Sequence, residues 1–174
     1  NARRELRRLV EAVASYDQAI ALNPQLPEVW SNRGNALSDL HRHAEAVASF
    51  DRALALRPQF PDAWCNRGAA LSEQGLLDEA LQSYGQALAL KPAYPEALNN
   101  RANTLREMGR LQDAVEAFEQ ALSARPDYPD ALSNLGVTLQ EIGRQDEAIA
   151  RYRQALSLQG AQLKERSNSL PAPS

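Results

Sequence analysis

This sequence is poor in the side chains that do chemistry. It holds one cysteine, Cys65, and two histidines, His41 and His43. A lone cysteine cannot close an internal disulfide, which fits a reducing, cytoplasmic setting. Cys65 has no histidine partner in the pattern and reads as a small packing residue on a helix. The two histidines stand two residues apart in a short turn, so they do not share a helix face. No cysteine or carboxylate stands beside them at metal-ligand spacing. A glycine-rich phosphate loop is absent too. The chain is therefore expected to be non-enzymatic, with no catalytic residue, no metal and no cofactor. No apolar run approaches the length of a membrane span, and no signal-peptide pattern opens the chain. Positive charge is not in excess either, with 19 Lys and Arg against 22 Asp and Glu and a net charge of −3. Nucleic acid, which needs a basic face, is not an expected partner. Lysine is nearly missing: the basic residues are arginine except Lys91 and Lys164, a bias that hints at a GC-rich, bacterial genome.

What the chain does have is a period of 34 residues. Residues 61–94 carry Pro61, Trp64, Asn66, Gly68, Leu71, Gly75, Ala80, Tyr84, Ala87, Leu88 and Pro92. One period earlier stand Pro27, Trp30, Asn32, Gly34, Leu37, Ala46, Phe50, Ala53, Leu54 and Pro58. Later copies give Pro95, Asn100, Leu105, Gly109, Ala114, Phe118 and Pro126, then Pro129, Asn134, Gly136, Leu139, Gly143, Ala148, Tyr152 and Leu156. A repeat array buries its core unit by unit, so this length need not form one compact core.

The spacing resembles the tetratricopeptide repeat, W-x2-L-G-x2-Y, then A-x3-F, then P. The first full copy matches as Trp30-x2-Arg33-Gly34-x2-Leu37, Ala46-x3-Phe50 and Pro58. Arg33, Arg67 and Arg101 depart from the family's Leu, to which only Leu135 conforms. Leu98 and Leu132 replace Trp, Ala102 replaces Gly, and Gly160 replaces the last closing Pro. The resemblance implies an all-α, right-handed superhelical α-solenoid of stacked helix-turn-helix repeats. Its divisions would be a half repeat at 1–26, repeats at 27–60, 61–94, 95–128 and 129–162, and a tail at 163–174.

Each copy reads as two helices. The recurrent prolines open the first, followed by Glu28, Asp62, Glu96 and Asp130 against the positive end of the helix dipole. Gly34, Gly68 and Gly136, with Ala102, leave room for the partner helix. Gly75, Gly109 and Gly143 end the first helix in a left-handed cap, and His41 holds that place in the first copy. The second helix buries Ala80, Tyr84, Ala87 and Leu88, and Pro58, Pro92 and Pro126 stop it. In the half repeat, Val10, Val13, Tyr16, Ala19, Ile20 and Leu22 form one apolar face. The arginines at the Leu place have apolar stems that can cover the seam while the guanidinium reaches a neighbouring carboxylate. The other reading gives them to a ligand. Residues 161–166 can extend the last helix, and residues 167–174 read as a linker. The missing first half and the absent capping helix suggest a piece of a longer or processed protein.

The informative signal is a row of asparagines: Asn32, Asn66, Asn100 and Asn134, at the sixth place of every copy. The resemblance implies that this place faces the concave groove. Helix propensity does not explain its recurrence. An amide side chain offers a donor and an acceptor, matching the N–H and C=O of an extended peptide. Stacked helices lie roughly 8–10 Å apart, and three residues of extended chain span about 10 Å. Asn35, Asn99 and Asn103 could assist. A second row, Asp39, Glu73, Glu107 and Glu141, would favour a ligand carrying Lys or Arg if it lines the groove; otherwise it is a solvated helix face. Ser31, Cys65, Asn99 and Ser133 stand where carboxylate-clamp members carry lysine, so capture of an acidic C-terminus is not expected. The asparagine row is similar to that of O-linked N-acetylglucosamine transferases and SPINDLY-type bacterial proteins. The alternative is a structural ladder, in which these amides bond to the adjacent repeat.

The leading expectation is an adaptor that binds an extended protein segment. The alternatives are an excised substrate-selecting domain of a larger enzyme such as a glycosyltransferase, and a module that self-associates through uncapped ends.

Overall fold

The computed structural model describes residues 2–168, and all nine elements among them are α-helices. α1 (Ala2–Leu22) is followed by α2 (Pro27–Asp39) and α3 (His43–Leu56), then α4 (Pro61–Ser72) and α5 (Leu77–Leu90). α6 (Pro95–Glu107), α7 (Leu111–Ala124), α8 (Pro129–Glu141) and α9 (Gln145–Asn168) complete the chain. The protein is an all-α solenoid of helical repeats. Its contacts divide it into two compact units, Asn1–Ala97 and Leu98–Ser174.

Local chemistry sets these boundaries. α2, α4, α6 and α8 each begin on the recurrent proline, whose missing N–H is no loss in the first turn. They end in one kind of turn. In the second copy Gly75 N–H donates to Ser72 O at 2.8 Å and Leu76 N–H to Leu71 O at 3.0 Å, the 5→2 and 6→1 pair of a Schellman cap. That turn needs a left-handed residue, and Gly75, Gly109 and Gly143 supply it at φ 74, 75 and 83°. His41 does so at φ 57°, where an L side chain is strained. α3, α5 and α7 end two residues before Pro58, Pro92 and Pro126. The residue before a proline is pushed out of the helical region, and Arg57, Lys91 and Arg125 are extended, with φ between −138 and −144°.

Within each unit the core sits between paired helices. In the N-terminal unit it centres on Leu37, Phe50 and Tyr84; in the C-terminal unit on Phe118, Leu132 and Leu135. Burying one such side chain contributes about 1.5–3 kcal/mol. The approach is close because the facing position has no side chain. A Cβ on Gly34 would lie 2.6 Å from the Phe50 ring, and one on Gly68 would lie 2.7 Å from the Tyr84 ring. Tyr94 adds a polar anchor, donating its hydroxyl to Asp62 at 2.8 Å. Burial, then that hydrogen bond, pushes its phenol far above the ordinary range.

Three expectations need correction. Val10 and Leu22 do not join the buried face of α1; they are 53% and 89% exposed, while Val13 is buried. Among the described residues α1 packs on α2 alone, and side chains that turn away from that one seam stay in solvent. Ser31 and Asn99, at the place beside the asparagine row, are buried in the packing of their helices, whereas Cys65 is buried as a packing residue should be. Ser167 and Asn168, read as linker, continue α9. The rest of that segment lies outside the described residues.

Candidate peptide-binding face

The asparagine row stands on the first helix of each pair. In the N-terminal unit Asn32 is exposed on α2 and Asn66 is half-buried on α4. Asn66 donates its amide Nδ2 to Oδ1 of Asn35 at 2.8 Å, across adjacent repeats. In the C-terminal unit Asn134 Nδ2 lies 3.5 Å from Asn99 Oδ1, and Asn99 Nδ2 lies 3.5 Å from Asn100 Oδ1. These amides therefore do bond between repeats. The bonding is incomplete, because each amide has a donor and an acceptor end. The Asn66–Asn35 bond uses one end of each side chain, and Asn66 Oδ1 and Asn35 Nδ2 remain. Asn103 is half-buried on α6.

The acidic row lies beside this one. Asp39, Glu73, Glu107 and Glu141 are all exposed near the ends of α2, α4, α6 and α8. Two small cavities adjoin the acidic row, and the first also touches the asparagine row. One, of about 260 Å³, is lined by Asn35, Ser38, Asp39, Asn66 and Ala69. The other, of about 340 Å³, is lined by Asn103, Arg106, Glu107 and Glu141. In the second, an Arg106 guanidinium nitrogen lies 3.6 Å from a Glu141 carboxylate oxygen.

A larger cavity, about 750 Å³, opens beside Ser38, Asp39 and Glu73 and reaches α1 at Leu6 and Leu9. His41 and His43 also line it, with ring centroids 5.8 Å apart. The sequence reading missed this cavity and the place shared by Ser38 and Arg106. The period alone carried the second signal, since those two residues stand 68 positions apart in one register. Among the described residues no three His, Cys, Asp or Glu side chains are grouped to hold a metal ion.

Two of the unusual arginines are structural. Arg33 donates Nε to Asp17 at 2.7 Å and Nη1 to Ser49 at 2.7 Å. Arg67 repeats this with Asp51 and Ser83, both at 2.7 Å. The third, Arg101, finds Ala117 at the serine's place.

Paired helices that recur with one kind of turn and a small residue facing an aromatic ring define a repeat solenoid, and the family follows from the sequence. Two family models match: one for the tetratricopeptide repeat over residues 59–127 and 93–160, and one for the TPR repeat over residues 1–41 and 39–75. The chain belongs to the tetratricopeptide-repeat family, whose members are protein-interaction scaffolds. Solved structures agree on the fold. A crystal structure of MamA is 22% identical with a TM-score of 0.82, covering 94% of this chain and 95% of that one. MamA from Desulfovibrio magneticus RS-1, from residue 41 to its end, is 25% identical with a TM-score of 0.80 and 92% of each chain covered. YrrB, described as a TPR protein with an unusual peptide-binding site, is 24% identical with a TM-score of 0.71, over 95% of this chain and 86% of that one. No curated protein matches the sequence. No described helix is long and apolar enough to cross a membrane.

Proposed function

We propose that the chain is a non-enzymatic adaptor that holds an extended protein segment along the face carrying its asparagines. The observation that carries this reading is the Asn66–Asn35 pair. Its 2.8 Å hydrogen bond orients both amides and leaves one acceptor and one donor beside a small cavity. An extended backbone supplies the complementary N–H and C=O. Asn32 would add a contact on α2. In the C-terminal unit Asn100, Asn134 and Asn103 would act alike, with Asn99 holding the amide of Asn134. The acidic row would select segments bearing Lys or Arg. That a structural neighbour, YrrB, is described as binding peptide supports the class of ligand.

The test compares wild type with two double variants, Asn32→Ala with Asn66→Ala and Asn100→Ala with Asn134→Ala. Each protein is immobilised and exposed to lysate of the source cell, and helicity is followed by circular dichroism. Loss of two neutral hydrogen bonds should weaken binding by about tenfold at unchanged helicity. Equal retention by wild type and both variants would move the contact away from the asparagines.

A second reading, self-association through the ends, draws on apolar side chains left in the open. Leu6 is 55% exposed on α1, and Ile149 and Leu156 are 46% and 67% exposed on α9. A strictly monomeric mass by light scattering at high concentration would remove it.

A further inference from the structure

We infer that the N-terminal unit carries an open subsite for one Lys or Arg side chain, formed by Asp39 and Glu73 and adjoining an apolar pocket. Its occupant is a protein segment with a basic residue next to an apolar one. The inference rests on the peptide-binding reading above and names the residue that the site selects.

Ser38, Asp39 and Glu73 correspond, two repeats later, to Arg106, Glu107 and Glu141. In the C-terminal unit the protein fills this place itself, with the Arg106 guanidinium 3.6 Å from Glu141. The geometry therefore accepts a guanidinium. In the N-terminal unit the cation is replaced by Ser38, and neither Asp39 nor Glu73 has an ion pair among the described residues. A carboxylate left beside a cavity attracts the charge that its counterpart already has.

The space beside these carboxylates also differs. Ser38, Asp39 and Ala69 line both the 260 Å³ cavity at Asn66 and the 750 Å³ cavity at α1, so the two share a wall. The larger one is backed by Leu6, Leu9 and Leu40 and receives a third carboxylate from Glu5; among the described residues no Lys or Arg lines it. Negative charge beside exposed apolar surface fits a segment that is basic and apolar at neighbouring positions. A segment held at Asn66 and Asn35 would place its basic side chain at Asp39 and Glu73. An adjacent apolar residue would then sit against Leu6 and Leu9.

The test is an NMR titration of the ¹⁵N-labelled chain with two synthetic heptapeptides. One has the sequence Gly-Leu-Gly-Arg-Gly-Leu-Gly; the other has citrulline, the uncharged isostere, in place of Arg. The Arg peptide should shift the amides of Asp39 and Glu73 and bind about twofold to fivefold tighter than its twin, the range for an exposed ion pair. That preference should shrink as salt is raised. It should vanish in Glu73→Gln and in Ser38→Arg, which supplies the unit's own cation as Arg106 does in the other. Arg106→Ser should open a second, similar site in the C-terminal unit, visible as new shifts at Glu107 and Glu141.

The asparagine variants separate the two readings. If Asn32→Ala with Asn66→Ala weakens both peptides alike and preserves their ratio, both readings stand. If that variant changes neither peptide while the charge preference persists, the subsite stands and the asparagine grip falls. Equal binding of the two peptides by wild type, lost in the asparagine variant, overturns the subsite alone. The absence of any saturable shift at about 5 mM peptide overturns it as well.

Discussion

The two units are built on one period, yet they satisfy their polar groups differently. In the N-terminal unit α2 and α4 open with tryptophans whose indole N–H groups donate to the carbonyls of Pro24 and Pro58, each at 2.9 Å. Arg33 and Arg67 are each clamped by an aspartate and a serine. In the C-terminal unit Leu98 and Leu132 take the tryptophan's place and are buried, and Leu135 replaces the clamped arginine at 0% exposure. At Arg106 the C-terminal unit adds a charge where the first has Ser38 and Ser72, and pairs it with Glu141. A place in this repeat can be filled by a hydrogen-bonded polar side chain or by a plain apolar one, provided that its partners change with it. Among the places that do not vary in this way are the left-handed turn, fixed by backbone conformation, and the asparagine.

The comparison is broken most severely by exchanging residues without their partners. Leu135→Arg would bury a guanidinium where the period supplies Glu119 and Arg151 instead of an aspartate and a serine. Burying a poorly paired charge should cost about 3 kcal/mol in urea unfolding. The reverse exchange, Arg67→Leu, removes a part-exposed ion pair and should stay within about 1 kcal/mol of wild type. Equal costs for the two would mean that the clamps do not distinguish the units.

A smaller effect separates the glycine places. Gly68→Ala gains about 1 kcal/mol of helix propensity. It also drives a Cβ to 2.7 Å from the ring of Tyr84, which is 1% exposed and has nowhere to retreat. Overpacking costs about 1–3 kcal/mol, so the net change should be destabilising by up to about 2 kcal/mol. Ala102→Gly makes the opposite change at the same place in the C-terminal unit and should also destabilise, by about 1 kcal/mol. A stabilising Gly68→Ala would mean that the helices there can separate at little cost.

These contrasts also explain what could be read from the sequence. Turns and helix starts were legible because glycine and proline act through their own backbone restrictions, which need no neighbour. The close helix approach was legible because a recurring glycine opposite a recurring aromatic has few other meanings. The structural role of Arg33 and Arg67 could be anticipated from their long apolar stems. Their acceptors could not, since Asp17 and Ser49 lie 16 residues away on either side of Arg33, in different helices. The asparagine row was visible as a pattern, but the Asn66–Asn35 bond depends on how adjacent repeats stack. Burial of Asn99 and exposure of Val10 were hidden for the same reason. Each is decided by what the neighbouring helix reaches, and helix length is not written in any single residue. The α1 cavity combines both difficulties: Glu5, Leu6, His41 and Glu73 are distant in sequence and belong to no common motif.

The smallest expected effect concerns pH. Hydrogen bonds from Arg57 hold the Glu28 carboxyl below its ordinary value of 4.5. Arg42 does the same for Glu45, and Arg144 for Glu147 in the C-terminal unit. A carboxyl lowered in the folded state contributes stability that is fully present above its unfolded value. That stability is lost as pH falls through the folded one. Stability should therefore be level near neutrality and decline below about pH 4.5, with the three pairs contributing to the fall. All three glutamates are exposed, so solvent and salt screen the pairs and the contribution is small. Carboxyl-carbon NMR titration isolates it. Glu28 should titrate below a reference glutamate in wild type and move back toward the ordinary range in Arg57→Gln, while Glu147 stays where it was. A Glu28 midpoint unmoved by Arg57→Gln would show that the pair does not persist in solution, leaving the i,i+3 pairs at the starts of α3 and α9 as the remaining source of the acid dependence.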